Sequence, residues 1–225
     1  MHLFAALVPP REVLDDVIER VARVEPARAP VEDAGPPGRH AAWAGRRFGR
    51  RKGAQAVATL PSGPWLDLLS PFRMNIPIAK FGNVAVVDAN RLTDTLENHA
   101  ATWQTPRLNL HGGTMLEPEG DDGAWANLAG DVDALHAIKA GVIRAAQGLQ
   151  LFVDRRVFRP HLRLGRINDR TTEAYLEALL ADLDDYDGPA WWQSTISLLV
   201  PAEHGPTGPA YKVHRDIRLG PQVAH

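Results

Sequence analysis

Cysteine is absent from all 225 residues. That absence excludes disulfides, thiolate nucleophiles and cysteine-ligated zinc or iron–sulfur centres. Long apolar runs are missing as well. None approaches the roughly 20 residues that a membrane-spanning helix needs, and the N-terminus lacks a basic-then-apolar signal peptide. The expected compartment is the cytoplasm, with no membrane partner. No sign of charge dominates: 25 Lys and Arg stand against 27 Asp and Glu, for a net charge of −2. No global field therefore recruits nucleic acid, and any such attraction must be local. The nine histidines are scattered without a shared short spacing, so neither a metal site nor a cofactor is expected.

What is present is the composition of an ordinary soluble globule, 44% hydrophobic and 23% charged. A chain of this length buries a substantial core as one domain or two closely packed lobes. Residues 2–8 read as a strand ended by Pro9-Pro10. Val13, Leu14, Val17, Ile18 and Val21 then give a helical apolar stripe over 11–24. Further strands are expected at 54–60 and 73–81, with a short apolar turn or helix at 65–69. A helix over 88–103 is expected to be capped by Asp88. Next come a hairpin of 107–116 and 124–131, and a helix over 133–149 closed by Gly148. A strand around His161 is followed by a helix over 171–183, and two strands joined at Gly205-Pro206-Thr207-Gly208-Pro209 finish the chain. This element order reads as two similar α/β lobes.

The segment with the most chemistry is Phe158-Arg159-Pro160-His161-Leu162-Arg163-Leu164-Gly165. On a strand, side chains alternate between faces. Leu162 and Leu164 then enter the core, and His161 and Arg163 share the opposite face. Histidine moves protons near neutral pH, and arginine clamps phosphate or carboxylate oxygens with a planar fork. The plainer alternative is a half-exposed strand on which both residues meet only water.

Phe158-Arg159-Pro160-His161-Leu162-Arg163-Leu164-Gly165-Arg166 resembles the second signature of the two-histidine phosphoesterases, the RNA 2′,3′-cyclic phosphodiesterases and 2′-5′ RNA ligases. His2-Leu3-Phe4-Ala5-Ala6-Leu7-Val8 is similar to that family's first strand. Ser194-Thr195-Ile196-Ser197-Leu198-Leu199-Val200 and Tyr211-Lys212-Val213-His214-Arg215 are similar to its last two. The resemblance implies an α/β (α+β) fold of two similar lobes, with antiparallel-rich sheets around a central groove. It implies one two-lobed domain over 1–225, with a basic, Gly/Pro-rich insertion at 28–71 in the first lobe.

The family carries His-x-Thr or His-x-Ser twice, and this chain departs from both. In Arg73-Met74-Asn75-Ile76-Pro77-Ile78-Ala79-Lys80-Phe81-Gly82, the best match to the first motif, Asn75 stands for the histidine and Pro77 for the hydroxyl residue. In the second motif His161 is kept and Arg163 replaces Thr. Cyclic-phosphate hydrolysis needs a base for water, an acid for the departing ribose oxygen and donors for the phosphorus oxygens. His161 is the expected acid or base and Arg163 the phosphate ligand, while Asn75 donates hydrogen bonds but accepts no proton.

Two further features bear on substrate. His111, followed by Gly112 and Gly113, is a candidate for the missing proton-transfer group if its hairpin lines the cleft; otherwise it is a solvent-facing histidine. His99 and His136, on expected helices, read as partly buried packing residues. Arg39, Arg46, Arg47, Arg50, Arg51 and Lys52 interleave with Trp43 and Phe48. Six cations with two aromatics suit single-stranded RNA, through phosphate pairing and base stacking; the alternative is a solvated loop. The expected function is a weak RNA-end or cyclic-nucleotide phosphoesterase of the 2′,3′-cyclic phosphodiesterase or 2′-5′ RNA ligase kind. Its expected partner is RNA or a nucleotide with a phosphate end. The alternatives are an inactive relative that binds RNA or a nucleotide, and an interaction protein that keeps only the fold.

Overall fold

Residues 1–25, 65–117, 121–154, 158–202 and 210–220 are described by the structure, a computed structural model. The apolar start of the chain forms β1 (His2–Leu7), and Pro9-Pro10 follow it. Val13, Leu14, Val17 and Val21 bury one face of α1 (Arg11–Ala22). Then come β2 (Asp67–Leu68), a 3-10 turn (Pro71–Arg73), β3 (Ile76–Asn83), α2 (Val86–Ala100) and β4 (Arg107–Glu117). β5 (Asp121–Gly130), α3 (Val132–Gly148), β6 (His161–Arg166) and α4 (Glu173–Asp184) follow. β7 (Trp191–Trp192), β8 (Thr195–Pro201) and β9 (Tyr211–Arg218) end the chain.

Two antiparallel sheets result. One has the order β3-β1-β8-β9 and the other β2-β6-β5-β4-β7. The lobes are therefore not the two halves of the sequence. β1 pairs with β8, setting Ala5 against Leu198, both fully buried, so the first sheet joins the two ends of the chain. The middle of the chain builds the second. β3 of one sheet packs against β6 of the other, and the Asp154 amide donates to the Lys80 carbonyl at 2.9 Å along that seam. Elsewhere α1 and α4 clasp the lobes together. Arg20 Nε donates to Asp182 at 2.7 Å, and the Tyr186 hydroxyl donates to Asp16 at 2.6 Å.

Several local expectations are corrected. Residues 65–69 hold β2, because Asp67 and Leu68 find partners in Arg166 and Gly165 of β6. α2 starts at Val86, so Asp88 lies in its first turn and does not cap it. α3 does end at Gly148, and the left-handed residue that follows it is Gln150, at φ 59°. β7 has no expected counterpart; its two residues pair with Arg107 and Leu108 at the edge of β4. α4 starts at Glu173, two residues later than expected, and is capped by the Thr172 side chain, which accepts from the Tyr175 amide. The strand expected at 54–60 lies outside the described residues.

Candidate functional site

β6 separates its residues by face as the alternation requires. Leu162 and Leu164 are fully buried, while His161 and Arg163 are only partly so. The partner strands identify the two faces. Leu162 stands opposite Ala126 of β5, which stands opposite Gly113 of β4. On that side lies α4: a Cβ on Gly113 would come within 2.8 Å of Leu183. The other face carries His161 beside Asn127, then Arg163 beside Trp125, with Thr114 of β4 next to Trp125.

His161 is held from β5. Its Nδ1 lies 3.0 Å from Asn127 Oδ1, and the same oxygen accepts from the Thr114 hydroxyl at 2.9 Å. β4 makes room for this through a bulge, in which His111 and Gly112 together oppose the single residue Asn127. Gly112 has φ +78°, and a Cβ there would crowd the Asn127 amide at 3.3 Å, so both conformation and space select glycine. Burial, and after it the charge of Arg159, lowers the His161 pKa below the usual histidine value. The neutral imidazole is therefore the favoured form at neutral pH.

Arg163 lies over an aromatic floor, its guanidinium carbon 5.8 Å from the Trp125 ring centroid. Trp125 itself is 7% exposed. The ring spreads across Gly123, where an added Cβ would meet it at 3.0 Å. A planar cation beside a neutral imidazole is an arrangement suited to a phosphate ester: one group holds oxygens and the other takes a proton.

Asn75 and Pro77 lie at the start of β3, with Asn75 one residue ahead of the strand. Both are more exposed than Ile76 and Ile78, so they share the strand's outer face. The Tyr211 hydroxyl of β9 donates to the carbonyl of Met74, the residue before Asn75, at 3.0 Å.

His111 is exposed and anchored outward, its Nδ1 2.8 Å from the Tyr186 carbonyl in the loop after α4. It also forms an isolated bridge with Asp187. It shares a cross-strand row with Asn127 and His161 but lies two strand spacings, roughly 10 Å, from the latter. His99 and His136 are both exposed, correcting the expectation of partial burial; His136 meets the Phe158 ring edge-on at 5.5 Å. Trp43, Arg46, Arg47, Arg50 and Arg51 lie outside the described residues. Asn127, Thr114 and Trp125 escape a reading of single motifs. The one sequence signal is an asparagine in the otherwise apolar run Ala124-Trp125-Ala126-Asn127-Leu128-Ala129. Among the described residues, no group of three or more His, Asp or Glu is placed to hold a metal ion.

No protein-family model and no curated protein matches the chain. Solved structures do match, over nearly all of it. TT0787 of Thermus thermophilus is 18% identical with a TM-score of 0.62, covering 97% of this chain and 98% of its own. Escherichia coli LigT complexed with 3′-AMP is 13% identical with a TM-score of 0.62, covering 97% of each chain. A structure described as a phosphoesterase is 13% identical with a TM-score of 0.60, covering 98% of each. The chain shares the fold of these LigT-like structures, built on two antiparallel sheets.

Proposed function

We propose that the groove binds the phosphate end of an RNA or a cyclic nucleotide, and that His161 and Arg163 carry a slow, metal-independent phosphodiesterase reaction there. The observation that carries this reading is the pair itself. A neutral imidazole and a guanidinium lying over the Trp125 ring sit two residues apart on one face of β6, on the strand that meets β3. LigT's complexes with 3′-AMP, NADP+, ATP and phosphate support a groove for phosphate-bearing nucleotides. In the proposed reaction a water oxygen bonds to phosphorus while its proton passes to His161 Nε2. Arg163 holds the phosphorus oxygens, and the bond to one ribose oxygen breaks. That departing oxygen takes its proton from solvent, because Asn75 has none to give at useful pH. Proton transfer by a placed acid contributes about 10²–10⁴-fold, which sets how slow the reaction is.

A second reading, nucleotide binding without turnover, is favoured by Asn75 and Pro77 at the positions of the first motif. One assay separates the two: turnover of an oligonucleotide ending in a 2′,3′-cyclic phosphate, with chelator present. Slow turnover lost in His161→Ala supports the enzyme. Tight His161-dependent binding without turnover supports the silent binder. Fast turnover that survives His161→Ala places the chemistry elsewhere.

A further inference from the structure

We propose that Asn127, backed by Thr114, is a positioning residue that fixes His161 as the tautomer protonated on Nδ1, making Nε2 its proton-accepting atom and committing it to the role of base. The inference rests on the phosphoesterase reading of the groove and adds a residue to it.

Three observations carry it. First, the contact is built into the backbone. Asn127 and His161 are directly opposed on antiparallel strands, so their side chains share a face whatever rotamers their neighbours adopt. Second, the Asn127 amide is itself oriented. Its oxygen receives the Thr114 hydroxyl at 2.9 Å and His161 Nδ1 at 3.0 Å, and one oxygen with two lone pairs satisfies both donors. Third, β4 bulges at His111 and Gly112 so that a residue without a side chain lies against that amide.

The identity of the partner matters as much as its place. A carboxylate facing Nδ1–H would stabilise the imidazolium and raise the histidine's pKa. An amide oxygen accepts the same hydrogen bond without a charge. On this face β5 and β4 contribute Asn127, Trp125 and Thr114, all uncharged, while the histidine's own segment contributes the cations Arg159 and Arg163. Every one of these neighbours leaves the imidazole neutral or pushes it that way. In a chain that has Asn75 where a second histidine would stand, the retained imidazole is thereby assigned to proton acceptance and not to donation.

The test uses the full chain with ¹⁵N-labelled histidine and no substrate. His161 resonances are identified by their loss in His161→Gln. At neutral pH, Nδ1 is expected to show the protonated, pyrrole-type signal and Nε2 the unprotonated one. Asn127→Asp, which keeps the side chain's shape, is expected to raise the His161 titration midpoint by about one to three units. Asn127→Leu is expected to mix the tautomers and lower kcat with little change in KM. Thr114→Val is expected to do the same to a lesser degree. A protonated Nε2 in the wild type, or an unmoved titration in Asn127→Asp, overturns the proposal. Because these signals need no turnover, the predicted tautomer in a protein that hydrolyses no cyclic phosphate overturns only the phosphoesterase reading.

Discussion

Pro77 stands opposite Ala6 at the point where β3 carries one residue more than its partner. Ala5 faces Ala79 and Ala6 faces Pro77, so Ile78 is the extra residue. The buried set accordingly changes parity, from Ile76 and Ile78 to Ala79 and Phe81. β3 is also the edge strand of its sheet. A bulge on an edge strand is where a proline's missing amide does least harm, and the strand expected around the first motif forms despite it.

If Asn75 and Pro77 stand at the first motif, as the resemblance implies, that accommodation makes the motif repairable. Pro77 is exposed, so Pro77→Thr is expected to change stability by less than about 0.5 kcal/mol, as exposed positions generally do. Asn75→His combined with Pro77→Thr is expected to raise metal-free hydrolysis of a 2′,3′-cyclic phosphate by about 10²-fold or more, the contribution of a placed acid. Initial rates on a cyclic-phosphate-ended oligonucleotide, beside a thermal melt of each variant, measure both effects. A folded double variant no faster than the wild type would refute the assignment of Asn75 to the position of the first motif's histidine.

The pH dependence follows from His161. Burial and Arg159 lower its pKa below the ordinary 6.5. As a base it acts when neutral, so kcat/KM is expected to fall only as the pH drops through that lowered pKa. The acid limb of the profile should therefore lie below pH 6.5, with full activity at neutrality. Arg159→Ala removes the smaller of the two causes and is expected to move the limb upward, toward the ordinary value. An acid limb above 6.5 in the wild type would show that some other group titrates.

Arg163 is expected to act on binding more than on proton transfer, since a guanidinium stays charged throughout the working range. Arg163→Lys keeps the charge but loses the planar fork that lies over Trp125. With charge-assisted hydrogen bonds worth roughly 1.5–3 kcal/mol, Arg163→Ala is expected to weaken binding of a 3′-phosphate nucleotide by about ten- to a hundredfold. Lysine should recover only part of that loss. Calorimetric titration with 3′-AMP measures it, and equal affinity in all three proteins would remove Arg163 from the site.

The elements with strong local signals were legible in the sequence: the stripe of α1, the helical stretch of α4, and the alternation that buries Leu162 and Leu164 beneath His161 and Arg163. The pairing was not. Nothing local states that β1 takes β8 as its neighbour, because that contact joins residues far apart in sequence, and so the lobes read as halves when they are not. Asn127 was missed for the same reason. Its role exists only through the register of β5 on β6 and the bulge in β4, and register is a property of two strands together. β2 and β7, two residues each, carry no period to detect and form where longer strands offer an edge.

The basic segment admits a test that needs no view of its structure. If Arg46, Arg47, Arg50 and Arg51 pair with phosphates of single-stranded RNA, binding releases condensed counterions, and the logarithm of affinity falls with the logarithm of salt by about 0.7 per contact. Replacing all four with alanine removes up to four contacts, so the slope is expected to flatten by as much as about 3. Affinity at low salt should drop while the proteins converge at high salt. The chain as a whole carries a net charge of −2, so no general cationic field stands in for the lost residues. Fluorescence anisotropy with a labelled phosphate-ended oligonucleotide over a salt series measures the slope. An unchanged slope and affinity in the quadruple variant would assign the segment to solvent, and RNA binding would then rest on the groove of His161 and Arg163 alone.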